Sequence, residues 1–371
     1  MNDQDRQAAK LNSIQILRAV AASVVVAGHI IGATARYCAE HECQFQKWPV
    51  AVGAGVDLFF VISGFIMVIA SERMFATRTA GRDFILRRLV RIVPLYWGVT
   101  TVTLVLMVLG DRHVLPGIGA IAASYLFVPF DTTGRNDGFA FPIVDLGWTL
   151  NYEMMFYAIF ALFIGQGRRN CVAFVTVVLT AIIGLGALFQ PSQTILRFWS
   201  QPISIEFVAG MWIATLHRHG KARLPGSIRI LLAASACAYL ALNPIMSLHA
   251  PTTPNGFDRV VGWGIPVAIL LIAAISGPIP WRSSAERVLV LIGDASYSLY
   301  LTHPFWLLFV ARGANILPFS ISPWVFASIS FLGAIAVAVL VHLLAERPIT
   351  NILVRRLHAR SSARNPSMSP A

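Results

Sequence analysis

Apolar residues run through this chain in long blocks, without the short alternation of a half-buried strand. Blocks of about 17 to 24 residues, each closed by charge, proline or glycine, have the length a helix needs to cross a bilayer. Ten are predicted to span, at 14–34, 53–70, 93–110, 146–164, 171–190, 197–216, 227–245, 260–276, 288–311 and 323–344. The run 116–130 is too short to cross and sits in a connection containing DTTGRND, so it reads as re-entrant or interfacial. The expected fold class is all-α: a polytopic membrane helical bundle of about ten transmembrane helices. Its expected parts are an N-terminus over 1–13, a membrane domain over 14–344 and a tail over 345–371.

Composition agrees, with 56% hydrophobic and only 12% charged residues among 371, which excludes a water-soluble enzyme of this length. A net charge of +12 would suit nucleic acid, but the basic residues fall in short clusters between apolar blocks, where membrane topology explains them. With the N-terminus inside, inner segments hold 20 of the 29 Lys and Arg and outer loops 7, with Arg18 and Arg229 in span ends. Both termini are therefore expected to be cytoplasmic. A cleaved leader ending at Ala33-Thr34-Ala35 is disfavoured, because its apolar region is long and interrupted by Arg18 and His29. The four cysteines show no metal or redox spacing; Cys38 and Cys43 could pair if their loop faces an oxidising compartment.

Charges inside spans mark candidate chemistry, since each is costly in lipid unless it pairs, faces the bundle interior or serves a pathway. The first span, IQILRAVAASVVVAGHI, carries Arg18 and His29; their spacing returns the second side chain to within roughly 20° of the first, about 16 Å along the axis. Alone, Arg18 could snorkel to inner headgroups and His29 could be a hydrogen-bonded core residue. In GVDLFFVISGF, Asp57 is either a helix-initial acid or a carboxylate needing a partner. Ser63, before Gly64, is either a ligand contact or part of a close helix crossing. FILRRLVRIVPLYW sets Arg88 and Arg91 on one side of a helix before Pro94, at the inner surface. Their planar donor forks suit phosphate, while positive-inside topology explains them equally. LGWTLNYEMMFY contributes Trp148 and Glu153, and GDASYSLYLTHPFW contributes Tyr297 and His303. His303 is a second proton-handling group or a brace beside Pro304. Glu153, His29 and Asp57 fall at roughly 10, 8 and 6 Å below the outer surface, so three spans are expected to bring ionisable groups to one level. His217 and His219 have no carboxylate beside them, and no metal site is expected.

Arg18 with His29, GVDLFFVISGF, Arg88 and Arg91 before Pro94, WTLNYEMMFY, SYSLYLTHPF and AERPI, in that order, resemble the membrane acyltransferase type 3 family. More narrowly, the chain is similar to the exopolysaccharide O-acetyltransferase branch over about residues 12–350. The resemblance implies a bacterial inner-membrane enzyme moving an acyl group, usually acetyl from acetyl-CoA, to a carbohydrate hydroxyl. It implies that the Arg/His pair of the first helix and the paired arginines are required. Some relatives carry a soluble extracytoplasmic domain after the helices, which this sequence does not show.

The expected assignment follows. Arg18, Arg88 and Arg91, with Ser63 and Tyr297, hold acetyl-CoA, whose phosphates suit guanidinium and whose pantetheine arm is comparable in reach to the Arg18 to His29 separation. His29 takes the acceptor proton or the acyl group itself, with Glu153 or Asp57 orienting it. Trp148 and His303 contact substrate or serve structure. The expected partners are acyl-CoA, a carbohydrate acceptor and membrane lipids, without metal or nucleic acid. A proton-coupled transporter using His29, Asp57, Glu153 and His303 as a relay is the alternative.

Overall fold

The computed structural model describes residues 3–46, 51–110, 116–131, 140–218, 224–243, 256–277 and 284–364, and among them all regular structure is helical. The helices are α1 (Asp3–Glu40), α2 (Ala54–Ala70), α3 (Ala80–Leu109), α4 (Ile118–Tyr125), α5 (Trp148–Phe163), α6 (Arg168–Phe189) and α7 (Thr194–Trp199). They continue as α8 (Ile205–Arg218), α9 (Gly226–Leu242), α10 (Phe257–Ile275), α11 (Ser284–Asp294), α12 (Ser296–Ile316), α13 (Pro323–Val341) and α14 (Arg347–Arg364). Each of the ten predicted spans contains helix. Among the described residues five helices are long and apolar enough to cross a bilayer alone: Asn12–Glu40, Ala80–Leu109, Arg168–Phe189, Phe257–Ile275 and Pro323–Leu357. This is a polytopic helical membrane protein, and leucines such as Leu109, Leu188, Leu332 and Leu344 are exposed on its flanks.

Two helices organise the interior. α1 packs against α2 and against α10 through α13. α2 is buried at 13 of its 17 positions, as expected of a helix apolar on every side. It crosses α8 at near backbone contact: a Cβ on Gly64 would strike the Phe207 carbonyl, and one on Gly210 would strike the Val61 carbonyl. The Ser63-Gly64 step is thus partly helix packing, as small residues at membrane helix crossings usually are.

Three local features depart from the sequence reading. α3 begins at Ala80 and runs unbroken through Pro94, so Arg88 and Arg91 lie inside a helix of 30 residues and not ahead of one at the surface. The expected span 288–311 breaks at Ala295, which separates α11 from α12. The expected span 197–216 is α7, a short 3-10 turn and then α8. Two π-helical turns occur, at Val260–Gly264 within α10 and at His342–Glu346 between α13 and α14. α4 has eight residues, about 12 Å of helix, consistent with a segment that does not cross. Cys38 and Cys43 form a disulfide at the C-terminal end of α1, leaving Cys171 and Cys237 free. His219 and most of the DTTGRND connection lie outside the described residues.

Candidate functional site

A cavity of about 110 Å³ opens between α1, α2, α3, α5 and α12. Along α2 it is lined from Val56 to Met67, a span of about 16 Å. α5 contributes Thr149, Leu150, Glu153 and Tyr157, which recur at helical spacing on one face. α3 contributes Arg88 and Arg91, α1 contributes Arg18, and the first turns of α12 contribute Ser296, Tyr297 and Tyr300.

Positive charge dominates one end. Arg18 is 8% exposed and its Nη1 donates to Gln15 Oε1 at 2.9 Å. The Arg88 guanidinium lies 5.5 Å from the Phe84 ring centroid and 6.0 Å from that of Tyr157, and its Nε has no hydrogen-bond partner. The ion pairs found among the described residues are Arg168 with Glu72, Arg259 with Asp57 and His342 with Glu346, so none neutralises Arg18, Arg88 or Arg91. Glu153 is the carboxylate lining the same cavity, and its Oε2 accepts from Tyr157 Oη at 3.0 Å. Tyr157 Oη lies 3.5 Å from Ser63 Oγ. Ser296 Oγ is buried and unpartnered, and Tyr297 donates to the Ile92 carbonyl at 2.8 Å. At the opposite end Tyr300 donates to the Leu146 carbonyl and accepts from Thr149 Oγ1, each at 3.1 Å.

His29 does not line this cavity. It is exposed, and its ring centroid lies 4.9 Å from that of His303, which is fully buried. Tyr300, at the cavity end, is one helical turn from His303 on α12, so the histidine pair stands just beyond that end. Nδ1 of His29 lies 2.9 Å from the Val25 carbonyl. A carbonyl only accepts, so this bond assigns the proton of the neutral ring to Nδ1 and leaves Nε2 with its lone pair.

Asp57 is elsewhere again. It is 0% exposed and held by Arg259 through Nε to Oδ1 at 3.0 Å and Nη2 to Oδ2 at 2.8 Å. The same guanidinium lies 5.6 Å from the Trp148 ring and 5.0 Å from the Trp263 ring, with buried Glu206 beside the pair. Trp148 therefore braces this ionic cluster and is not among the cavity-lining residues.

The structure brings together Arg18, Arg88, Arg91, Ser63, Tyr297 and Glu153. It does not bring Glu153 or Asp57 to His29, because equal depth in a bundle says nothing about which helix faces which. Arg259 and Glu206 were missed: Arg259 counts as an outer-loop charge in sequence, though a buried Asp57 demanded some cation. Tyr157 and Tyr300 were legible as the next turn on the faces of Glu153 and Tyr297. Among the described residues no group of three metal-ligating side chains forms.

Fold and site together define a polytopic membrane protein built around a cationic internal cavity. Residues 11–343 match the family model described as "Acyltransferase domain", and the chain belongs to this family of acyl-transferring membrane enzymes. It is 32% identical to the exopolysaccharide production protein ExoZ of Rhizobium meliloti over 309 residues, 83% of this chain and 91% of that protein. It is 26% identical over 285 residues to the putative peptidoglycan O-acetyltransferase YrhL of Bacillus subtilis, covering 69% of this chain and 44% of YrhL. It is 25% identical over 328 residues to the peptidoglycan O-acetyltransferase OatA of Listeria monocytogenes, covering 78% of this chain and 48% of OatA. The chain thus spans less than half the length of the two peptidoglycan relatives. No solved structure matches it.

Proposed function

We propose that the protein transfers a short acyl group, acetyl foremost, from cytoplasmic acyl-CoA to a hydroxyl of a cell-surface or exported carbohydrate, at the bacterial inner membrane. The observation that carries this reading is three guanidiniums against one carboxylate lining one cavity, with no ion pair among the described residues to quench them. Such an excess needs an anion. Guanidinium forks match phosphate, and the buried, unpartnered Ser296 Oγ on the first turn of α12 adds a hydroxyl donor lining the same cavity. Ser63 and Tyr297 flank the donor, and membrane lipids cover the exposed apolar flanks.

The donor enters from the end of α1 that precedes Arg18, taken as cytoplasmic, with residues 1–13 and the tail 345–371 on that side. The Cys38–Cys43 disulfide at the other end of α1 supports the orientation, since disulfides persist in oxidising compartments. The phosphates lie at the arginines and the acyl-pantetheine arm follows the roughly 16 Å cavity toward Thr149 and Tyr300. The acceptor hydroxyl meets the thioester near His29. As its oxygen bonds the acyl carbon, its proton passes to Nε2 of His29, the C–S bond breaks, and the thiolate takes the proton back. Glu153 acts at the donor end, where with Tyr157 and Ser63 it sets the charge around the arginines.

The test uses detergent-purified protein, radiolabelled acetyl-CoA and surface glycan from a deletion strain. Wild type is expected to bind acetyl-CoA and label the glycan, and His29→Ala to bind without labelling. Wild-type protein that binds no acetyl-CoA would overturn the donor. A correctly inserted His29→Ala protein that still labels would remove the base role.

A further inference from the structure

The histidine opposite His29 is placed to do more than brace a helix. His303 is 0% exposed, and its Nδ1 lies 2.9 Å from the Leu299 carbonyl, the same backbone bond to the preceding turn that His29 makes to Val25. By the same reasoning the neutral ring carries its proton on Nδ1. Its Nε2 is then a lone pair sealed inside the bundle, with no hydrogen-bond partner. A buried acceptor left unmade is unfavourable, and in a native interior it calls for a functional account. The polar ring packed beside His303 is His29, at 4.9 Å between centroids and 57° between planes. The exposed member of the pair is His29.

We propose that His303 is a positioning residue for His29, its Nε2 lone pair stabilising the imidazolium that His29 becomes during transfer. This rests on the reading of His29 as the base. In the structure Nε2 of His303 is unsatisfied. When the acceptor oxygen bonds the acyl carbon and its proton moves to His29, the new positive charge stands beside the His303 ring, 4.9 Å away between centroids. The interaction exists only after proton transfer, so it favours the transition state over the ground state. When the departing thiolate takes the proton, His303 returns to its unsatisfied state. His303 neither gains nor loses a proton over the cycle.

Substitutions separate this role from simple filling of space, because the two rank the variants in opposite order. His303→Gln keeps an acceptor oxygen but not the ring; His303→Phe keeps a ring but no lone pair. Steady-state transfer from acetyl-CoA is measured for both, alongside thermal unfolding. His303→Phe is expected to lower kcat by about 10²-fold, at the small end of acid–base effects, with KM for acetyl-CoA unchanged, and His303→Gln is expected to recover about tenfold of that. Should His303→Phe fail to fold, the near-isosteric pair His303→Asn and His303→Leu makes the same comparison. Phe above Gln, Leu above Asn, or full activity in all of them overturns the proposal. If His29→Ala is inactive while His303→Phe is normal, only this inference fails; if His29→Ala stays active, the base reading fails with it.

Discussion

Replacing Arg259 by Met tests whether Asp57 belongs to the scaffold or to the chemistry. The side chains of Arg259 and Asp57 are 8% and 0% exposed, so neither solvent nor salt screens their contact. Met fills much of the space but leaves Asp57 and Glu206 facing each other without a cation, and removes the donor to the Gly53 carbonyl. Breaking a buried pair in this way costs about 3–5 kcal/mol, roughly two to three and a half powers of ten in the folding equilibrium. The double variant Asp57→Asn with Arg259→Met removes both charges and should recover most of that loss. The assay is thermal unfolding in detergent paired with turnover per folded molecule on the same preparation. The expected order of stability is wild type, then the double variant, with Arg259→Met well below, while folded double variant turns over within a few-fold of wild type. An Arg259→Met protein as stable as wild type would refute the ion-pair argument. A stable but inactive double variant would return Asp57 to the chemistry.

Arg88→Gln with Arg91→Gln should raise KM for acetyl-CoA by about 10- to 100-fold, the scale of losing one or two charge-assisted bonds, with kcat recovered at high donor; Arg→Lys at both keeps the charge and should lie between, and unchanged donor binding would favour a purely topological role. Glu153→Gln keeps size and a partner for Tyr157 but adds net positive charge to the cavity, so acetyl-CoA should bind more tightly; a fall in kcat of an order of magnitude with unchanged binding would instead place Glu153 in the acid–base chemistry. Gly210→Ala should lower stability by at least about 1–3 kcal/mol, because its Cβ meets the Val61 carbonyl of α2 and backbone cannot step aside as a side chain can; a variant melting with wild type would mean that α2 and α8 are not in close contact.

What this sequence determines by itself is what depends on local solvation. A block of apolar residues has one low-energy answer in a bilayer, a helix that satisfies its own backbone, and so the helical class, and that each block would hold helix, were legible. The same is true of faces: Arg88 with Arg91, and Glu153 with Tyr157, are joined by helical period alone. Helix ends were less legible where tertiary contacts set them. Hydropathy cannot see that α3 starts at Ala80 under a charged run, or that the helix breaks at Ala295, since both depend on what surrounds those turns. Pairing between helices was not legible at all. Depth in the membrane placed His29, Asp57 and Glu153 at one level, but α1, α2 and α5 each present several faces, and only their rotation decides which neighbours meet. That rotation gives Asp57 to Arg259, 202 positions away in the chain, gives Glu153 to the arginines, and leaves His29 facing His303.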